Sequence, residues 1–131
     1  HIEDADFLEG HGTFSSQFGI SYKTPHPPDR LLREGDIIEV GNMEFTVIHT
    51  PGHTPGCICL KSDDIVFTGD TIFRRGIGTT MMPGSSRRQL INSIITRLMV
   101  LPDSTRLYPG HGRDTTVGAE KRDNRYVRGD W

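Results

Sequence analysis

Residues His49 to Asp70 read HTPGHTPGCICLKSDDIVFTGD. An apolar strand ends at Ile48, a Gly/Pro-rich loop follows, two short strands come next, and the run closes on Gly69-Asp70. Proline fixes φ and glycine permits unusual backbone angles, so Thr50-Pro51-Gly52 and Thr54-Pro55-Gly56 are expected to form two successive turns. His53 lies between them, held at a strand end by a stiff loop. Asp70 follows Ile65-Val66-Phe67, an apolar run that reads as a buried strand. An imidazole and a carboxylate at neighbouring strand ends are what a borderline cation such as zinc or iron takes as ligands.

A lone loop histidine is usually a surface residue, and an aspartate before threonine is usually a turn or a helix cap. His53 is not alone. Pro109-Gly110-His111-Gly112 repeats the device after Thr105-Arg106-Leu107-Tyr108. Three ligand-type residues, each beside glycine at a strand end, single out His53, Asp70 and His111 as candidate metal ligands, expected to converge in space.

The remainder of the chain supports one small domain over residues 1–131. Its formal net charge of −2 gives no case for nucleic acid or an anionic membrane as partner. No apolar run approaches the ~20 residues of a membrane span, and no signal peptide is read. The chain opens on His1, so we expect it to belong to a longer gene product. Cys57 and Cys59 are its two cysteines. Two apart on one predicted strand, they point to the same face, a poor disulfide geometry. Two reduced thiols suit a cytoplasmic protein, and both read as small buried residues.

Taken in order, Ile2 to Leu8 suits a short helix with acidic residues at its start. Gly10 to Pro28 reads mainly as loop, with His11 and His26 as exposed bystanders. Strands are predicted at Ile37–Val40, Met43–His49, Cys57–Leu60, Ile65–Phe67 and Arg106–Tyr108, the first two joined by a Gly41-Asn42 turn. Met43, Phe45 and Val47 share one face, and His49 falls on it as a structural histidine. Thr71 to Ser85 reads as a long connection, in which Arg74 and Arg75 form a solvated basic loop. The main helix is predicted at Arg87–Leu101, with Ser86 and Gln89 in a capping-box pattern. Leu90, Ile91, Ile94, Ile95, Leu98 and Met99 form its apolar stripe, and Pro102 stops it. Thr116 caps a last helix toward Tyr126, with Glu120, Lys121, Arg122 and Asp123 as a solvated face.

HTPGHTPG, FTGDTIF and LYPGHG, in this order, resemble the metallo-β-lactamase superfamily, and within it the glyoxalase II-like (hydroxyacylglutathione hydrolase-like) branch. The resemblance extends over nearly the whole chain, through Leu98–Pro102, Thr115-Thr116 and Asn124. It implies an α/β fold: the second half of an αββα sandwich, a mixed sheet with flanking helices. It also implies that His53 binds a first metal, that Asp70 bridges two metals, and that His111 binds the second. The expected cofactor is zinc, one or two ions, with iron or manganese as alternatives. The implied reaction is hydrolysis of a small-molecule thioester of the S-acylglutathione kind.

Two departures qualify that expectation. The superfamily's HxHxDH motif, which supplies two histidines to the first metal and an aspartate and a histidine to the second, is absent. It normally precedes the segment that His1-Ile2-Glu3-Asp4 resembles, and His1, His11 and His26 do not reproduce its spacing. The chain therefore reads as N-terminally truncated. Alone it is expected to bind metal poorly and to be inactive, and to associate with a second copy or with a chain supplying the missing half. Relatives also often carry Gly-Arg-Thr-Asp where this chain has Gly78-Thr79-Thr80-Met81, which removes an arginine and an acid near the mouth of the site. Two other functions compete: an iron-dependent persulfide dioxygenase relative, and a non-catalytic fragment or interaction module. No catalytic residue beyond the three ligands is assigned.

Overall fold

Alternating apolar residues between positions 37 and 69 build an antiparallel meander. A computed structural model describes residues 1–8, 19 and 25–131. Strands β1 (Ile37–Val40), β2 (Met43–His49), β3 (Ile58–Ser62) and β4 (Ile65–Gly69) follow one another in sequence and in space. A small hairpin of β5 (Ile72–Phe73) and β6 (Gly76–Ile77) comes next. After it runs helix α1 (Arg87–Ser93), continued by a wider π turn over Ile94–Leu98. β7 (Arg106–Pro109) returns beside β4, and β8 (Thr115–Thr116) completes a six-stranded sheet in the order β1-β2-β3-β4-β7-β8. Helices α2 (Val117–Asp123) and α3 (Arg125–Arg128) close the chain. Only the β4–β7 pair is parallel among the described pairings, so the sheet is mixed, as expected for the second half of the α/β sandwich.

The two faces of the sheet have different neighbours. Ile48, Cys59, Val66 and Leu107 point to one side and form the core with Leu90, Ile94, Leu98 and Met99, together with Ile72 and Val117. The other side carries the cross-strand row Val47, Leu60, Phe67 and Tyr108. The Phe67 ring packs tilted against Phe45 and Tyr108, with centroids 5.8 and 5.5 Å away. Phe45 and Val47 are buried there, but Val40, Met43 and Phe67 are exposed.

The main helix departs from its predicted form. Ser86 caps it by accepting from the Gln89 N–H, as the sequence pattern implies. The ladder then widens, with the Met99 N–H bonding to the Ile94 carbonyl at 2.9 Å. A wider turn rotates successive side chains by less, so Met99 stays on the core side. Ile95, read as part of the stripe, lies at its outer edge and is exposed. The long connection also differs from expectation, because its first part is the β5–β6 hairpin. Its turn puts Arg75 at φ 63°, which nothing in the residue type announces. Glu120, read as part of a solvated face, is buried, because three donors compensate its charge: the Arg75 N–H, the Thr115 hydroxyl and the Asn124 amide. The final helix breaks at Asn124, whose side chain caps α3 by accepting from the Tyr126 N–H. The predicted loop over 10–28 falls largely outside the described residues, as does His11; His26 is exposed.

Cys57 and Cys59 are free thiols converging on one hydroxyl pair. Cys57 Sγ lies 3.5 Å from Thr71 Oγ1, Cys59 Sγ lies 3.5 Å from Thr50 Oγ1, and the two hydroxyls are 2.9 Å apart. Cys59 is fully buried and Cys57 half-buried. Burial pushes the Cys59 thiol up to about 11.

Two outcomes follow from this packing. Gly52 has φ 142°, and a Cβ there would collide with the Leu90 backbone. Gly52→Ala should therefore cost about 3 kcal/mol in denaturant unfolding; an unchanged midpoint would show that the loop is not seated on α1. For Cys59, the unfolded thiol ionises from its ordinary 9.0 while the folded thiol holds its proton to about 11. The contribution is intact below 9.0 and is lost as pH rises through that window. Unfolding measured across the window should show a decline in stability that Cys59→Ala reduces.

Candidate metal centre

β2, β4 and β7 point the same way, because β3 runs antiparallel to both β2 and β4 while β7 runs parallel to β4. Their carboxyl ends therefore share one edge. His53 sits in the loop after β2, Asp70 directly after β4, and His111 two residues beyond β7. In the β4–β7 register Gly69 faces Pro109, and the Gly110 N–H bonds to the Gly69 carbonyl at 2.8 Å. That pairing places Asp70 and His111 side by side.

The His53 loop is fixed from several directions. The Thr50 N–H bonds to the Cys57 carbonyl at 2.9 Å and closes it. Asp4 accepts from the Thr54 hydroxyl at 2.6 Å and from the Gly56 N–H at 2.7 Å. Ser93 on α1 donates to the Pro51 carbonyl, and Ser85 donates to the carbonyl of His53 itself, at 2.8 and 2.7 Å. The fixed loop brings His53 Nε2 to 3.6 Å from Asp70 Oδ2. From the other side, His111 Nε2 lies 3.4 Å from Asp70 Oδ1. The three residues singled out by the motifs thus meet pairwise through Asp70, with one imidazole on each carboxylate oxygen, and do not bring three donors within 4.8 Å of one another.

These contacts test the site for a cation. The His53 ring has its Nδ1 2.7 Å from the Thr79 carbonyl oxygen, which can only accept. Nδ1 therefore carries a proton, and in the neutral ring Nε2 is a bare lone pair. That lone pair faces a carboxylate oxygen, an arrangement that repels unless a cation lies between them or the ring is protonated. Two donors bound to one ion at 2.0–2.2 Å in tetrahedral geometry stand about 3.4 Å apart, which matches both contacts. The residues fit a metal. A carbonyl bonded to the far nitrogen of a ligating histidine is also the usual means of fixing its tautomer and ring plane.

Space around the carboxylate is kept by glycine. A Cβ at Gly110 would stand 2.8 Å from Asp70 Oδ1, and one at Gly78 would collide with the Asp70 carbonyl oxygen. His53 has 13% of its side chain exposed and His111 has 77%, so the centre is open to solvent on the His111 side. The Phe73 ring meets His111 edge-on, with centroids 5.9 Å apart. The motifs do not reveal Thr79, whose contribution is a main-chain oxygen; Phe73 closes the FTGDTIF motif, but nothing in the sequence points its ring at His111.

Another histidine cluster lies nearby. His1, Glu3 and His49 bring their donor atoms within 4.8 Å of one another. The two rings stack at 4.0 Å with planes 7° apart. An ion bound by both would have to lie in two nearly parallel planes at once, and His49 Nε2 is already 2.8 Å from the Pro55 carbonyl. The cluster is structural, in keeping with the reading of His49.

The profile of the Metallo-beta-lactamase superfamily matches residues 1–111. An uncharacterized protein of Mycobacterium tuberculosis is 44% identical over 118 residues, 85% of this chain and 53% of its own length. Hydroxyacylglutathione hydrolase GloC of Haemophilus influenzae is 39% identical over 116 residues, 86% of this chain and 55% of its own. Among solved structures, TTHA1623 in a di-iron-bound form superposes with a TM-score of 0.83 at 36% identity, covering 96% of this chain and 62% of that one. ETHE1 from Myxococcus xanthus gives 0.75 at 34% identity, covering 92% and 57%. The chain thus spans about half the length of the curated relatives it matches. No helix among the described residues is long and apolar enough to cross a membrane. By profile, sequence and fold together, the chain belongs to the metallo-beta-lactamase superfamily.

Proposed function

We propose that this chain carries one side of the metal centre of a hydrolase that cleaves small thioesters of the S-acylglutathione type. The carrying observation is the approach of two imidazole nitrogens to the two oxygens of Asp70. His53 holds one ion and His111 a second, with Asp70 shared between them. Likeness to a hydroxyacylglutathione hydrolase supports the substrate class, and a di-iron-bound neighbour supports a two-ion site. Zinc is the expected metal. An ion held here would supply Lewis acidity toward a substrate carbonyl and would lower the pKa of bound water toward ~7. The chain's residues orient the site: Thr79 holds His53 in the Nδ1–H tautomer, Asp70 spaces the two imidazoles, Gly110 leaves room for the carboxylate, and Gly78 leaves room for the Asp70 main chain.

A second reading rests on the ligand set itself. His53 and Asp70, completed by one further histidine, also suit a single iron and oxygen chemistry. The superposition on ETHE1 supports this persulfide dioxygenase alternative. Metal analysis separates the two: one iron with oxygen consumption favours the dioxygenase, whereas two ions and chelator-sensitive thioester turnover favour the hydrolase.

The further ligands belong, in this reading, to the half of the relatives' length that this chain does not span. The same portion covers the exposed strip of Val40, Met43 and Phe67, since leaving apolar surface in water costs about 25 cal/mol per Å².

In the intact protein, Asp70→Asn should lower thioester turnover by about 100-fold or more and reduce bound metal. Unchanged turnover, or turnover insensitive to chelator, would remove the hydrolase reading. The present chain alone should bind zinc weakly and show no turnover, because a catalytic zinc usually takes three protein ligands and a water. Adding the remaining portion as a separate polypeptide should give a one-to-one complex in sedimentation and restore activity. Full activity of the chain by itself, or a clean monomer that ignores the added portion, would overturn the assignment.

A further inference from the structure

The β5–β6 hairpin and the two residues that follow it reach both histidines of the candidate centre. Its Phe73 lies against the His111 ring. Two residues beyond β6, Thr79 supplies the carbonyl on His53 Nδ1 at 2.7 Å. The Gly78 N–H bonds back to the Thr71 carbonyl at 3.3 Å, beside Asp70. Yet the hairpin has two residues per strand and turns through Arg75 at φ 63°. An isolated pair of strands that short does not hold its own geometry in water.

The hold comes from the C-terminal helices. Glu120 Oε2 accepts the Arg75 N–H at 2.8 Å, and the Asn124 side-chain amide donates to the Gly76 carbonyl at 3.0 Å. The two side chains thus grip adjacent residues of the turn, one through a donor and one through an acceptor. They are locked to each other by the Asn124 amide on Glu120 Oε2 at 2.8 Å, and Thr115 donates to Glu120 Oε1 at 2.6 Å. Glu120 is 1% exposed and Asn124 0%. A charge with that burial is tolerated only when its oxygens are filled, so the clamp has little freedom to shift.

We propose that Glu120 and Asn124 are positioning residues for the metal centre, acting through the hairpin to hold the Thr79 carbonyl on His53 Nδ1 and thereby fix the tautomer that leaves Nε2 bare. This rests on the reading of His53 as a ligand. The hydrogen bond itself is a property of the metal-free protein, so the two can fail separately.

The test uses the intact protein stripped of metal, at a pH where imidazoles are neutral. In the unaltered protein the imidazole ¹⁵N shifts of His53 should report one protonated nitrogen, Nδ1, and one bare nitrogen, Nε2. Glu120→Asp withdraws the carboxylate by one methylene, and Asn124→Ala removes the grip on Gly76. Each should move the His53 shifts toward a mixture of tautomers and raise the zinc dissociation constant about 10- to 100-fold. Lys121→Ala, on the same helix but paired with Asp103 at the surface, should change neither. If Glu120→Asp fails to fold, Asn124→Ala carries the same two readouts. Pure Nδ1–H signals and unchanged zinc affinity in the clamp variants, even with a lowered melting temperature, would show a merely structural role and overturn the proposal. Mixed tautomers with no zinc bound by the unaltered protein would keep the clamp and remove the ligand reading instead.

Discussion

The parallel pairing of β4 with β7 is the constraint on which the rest of the site depends. It sets Gly69 opposite Pro109, and the Gly110 N–H closes the pair on the Gly69 carbonyl. A parallel pair cannot be made by a tight turn. The chain crosses over through the β5–β6 hairpin and α1 before it returns as β7. That crossover is what the core records: Leu90, Ile94, Leu98 and Met99 of the helix cover Ile48, Cys59, Val66 and Leu107 of the sheet. The apolar burial that drives the crossover therefore also fixes which loops meet at the sheet edge. Slipping β7 by one residue would turn Leu107 out of the core and carry His111 away from Asp70.

Around that pairing, rigidity comes from groups that contribute no ligand. Asp4 lies far from the HTPG loop in sequence, yet it takes two donors from it at 2.6 and 2.7 Å. Serines 85 and 93 take up two of the loop's carbonyls. A turn rich in proline and glycine has few internal hydrogen bonds, so its backbone groups are satisfied by neighbouring elements. A side effect is a stiff His53, with its ring plane fixed by the protein's own contacts. His111, by contrast, is exposed and steadied mainly by the edge of Phe73.

Much of this was legible in the sequence because the signals are local. The β-prone runs at 37–40 and 43–49 around Gly41-Asn42 predict both strands with the observed bounds, and Ser86 and Gln89 announce the start of α1. His53, Asp70 and His111 stand out because each combines a ligand-type side chain with adjoining glycine at a strand end. What escaped depends on distant groups. β5, β6 and β8 are two residues long and carry no periodicity to detect. Glu120 sits among Lys121, Arg122 and Asp123 and reads as solvated; its burial follows from donors on the hairpin, on β8 and at Asn124, which composition cannot show. The π turn that leaves Ile95 outside is likewise a tertiary choice, since the α-helical spacing holds up to Ile94.

Position 79 shows how the orientation of the His53 ring is separable from the character of the rim beside it. Relatives of the kind this chain resembles often place arginine there and an acid two residues later. Here the residues are Thr79 and Met81, and Met81 is almost fully exposed. The group that meets His53 is the main-chain carbonyl of residue 79, which any side chain leaves in place. Its position is set by Gly78, where a side chain would strike Asp70, and by the hairpin behind it. Replacing arginine by threonine therefore removes a charge from the mouth of the site and leaves the hydrogen bond to the imidazole untouched. An arrangement built on backbone oxygens, glycine clearances and sheet register keeps His53, Asp70 and His111 in place through changes at its rim, so the rim is free to diverge.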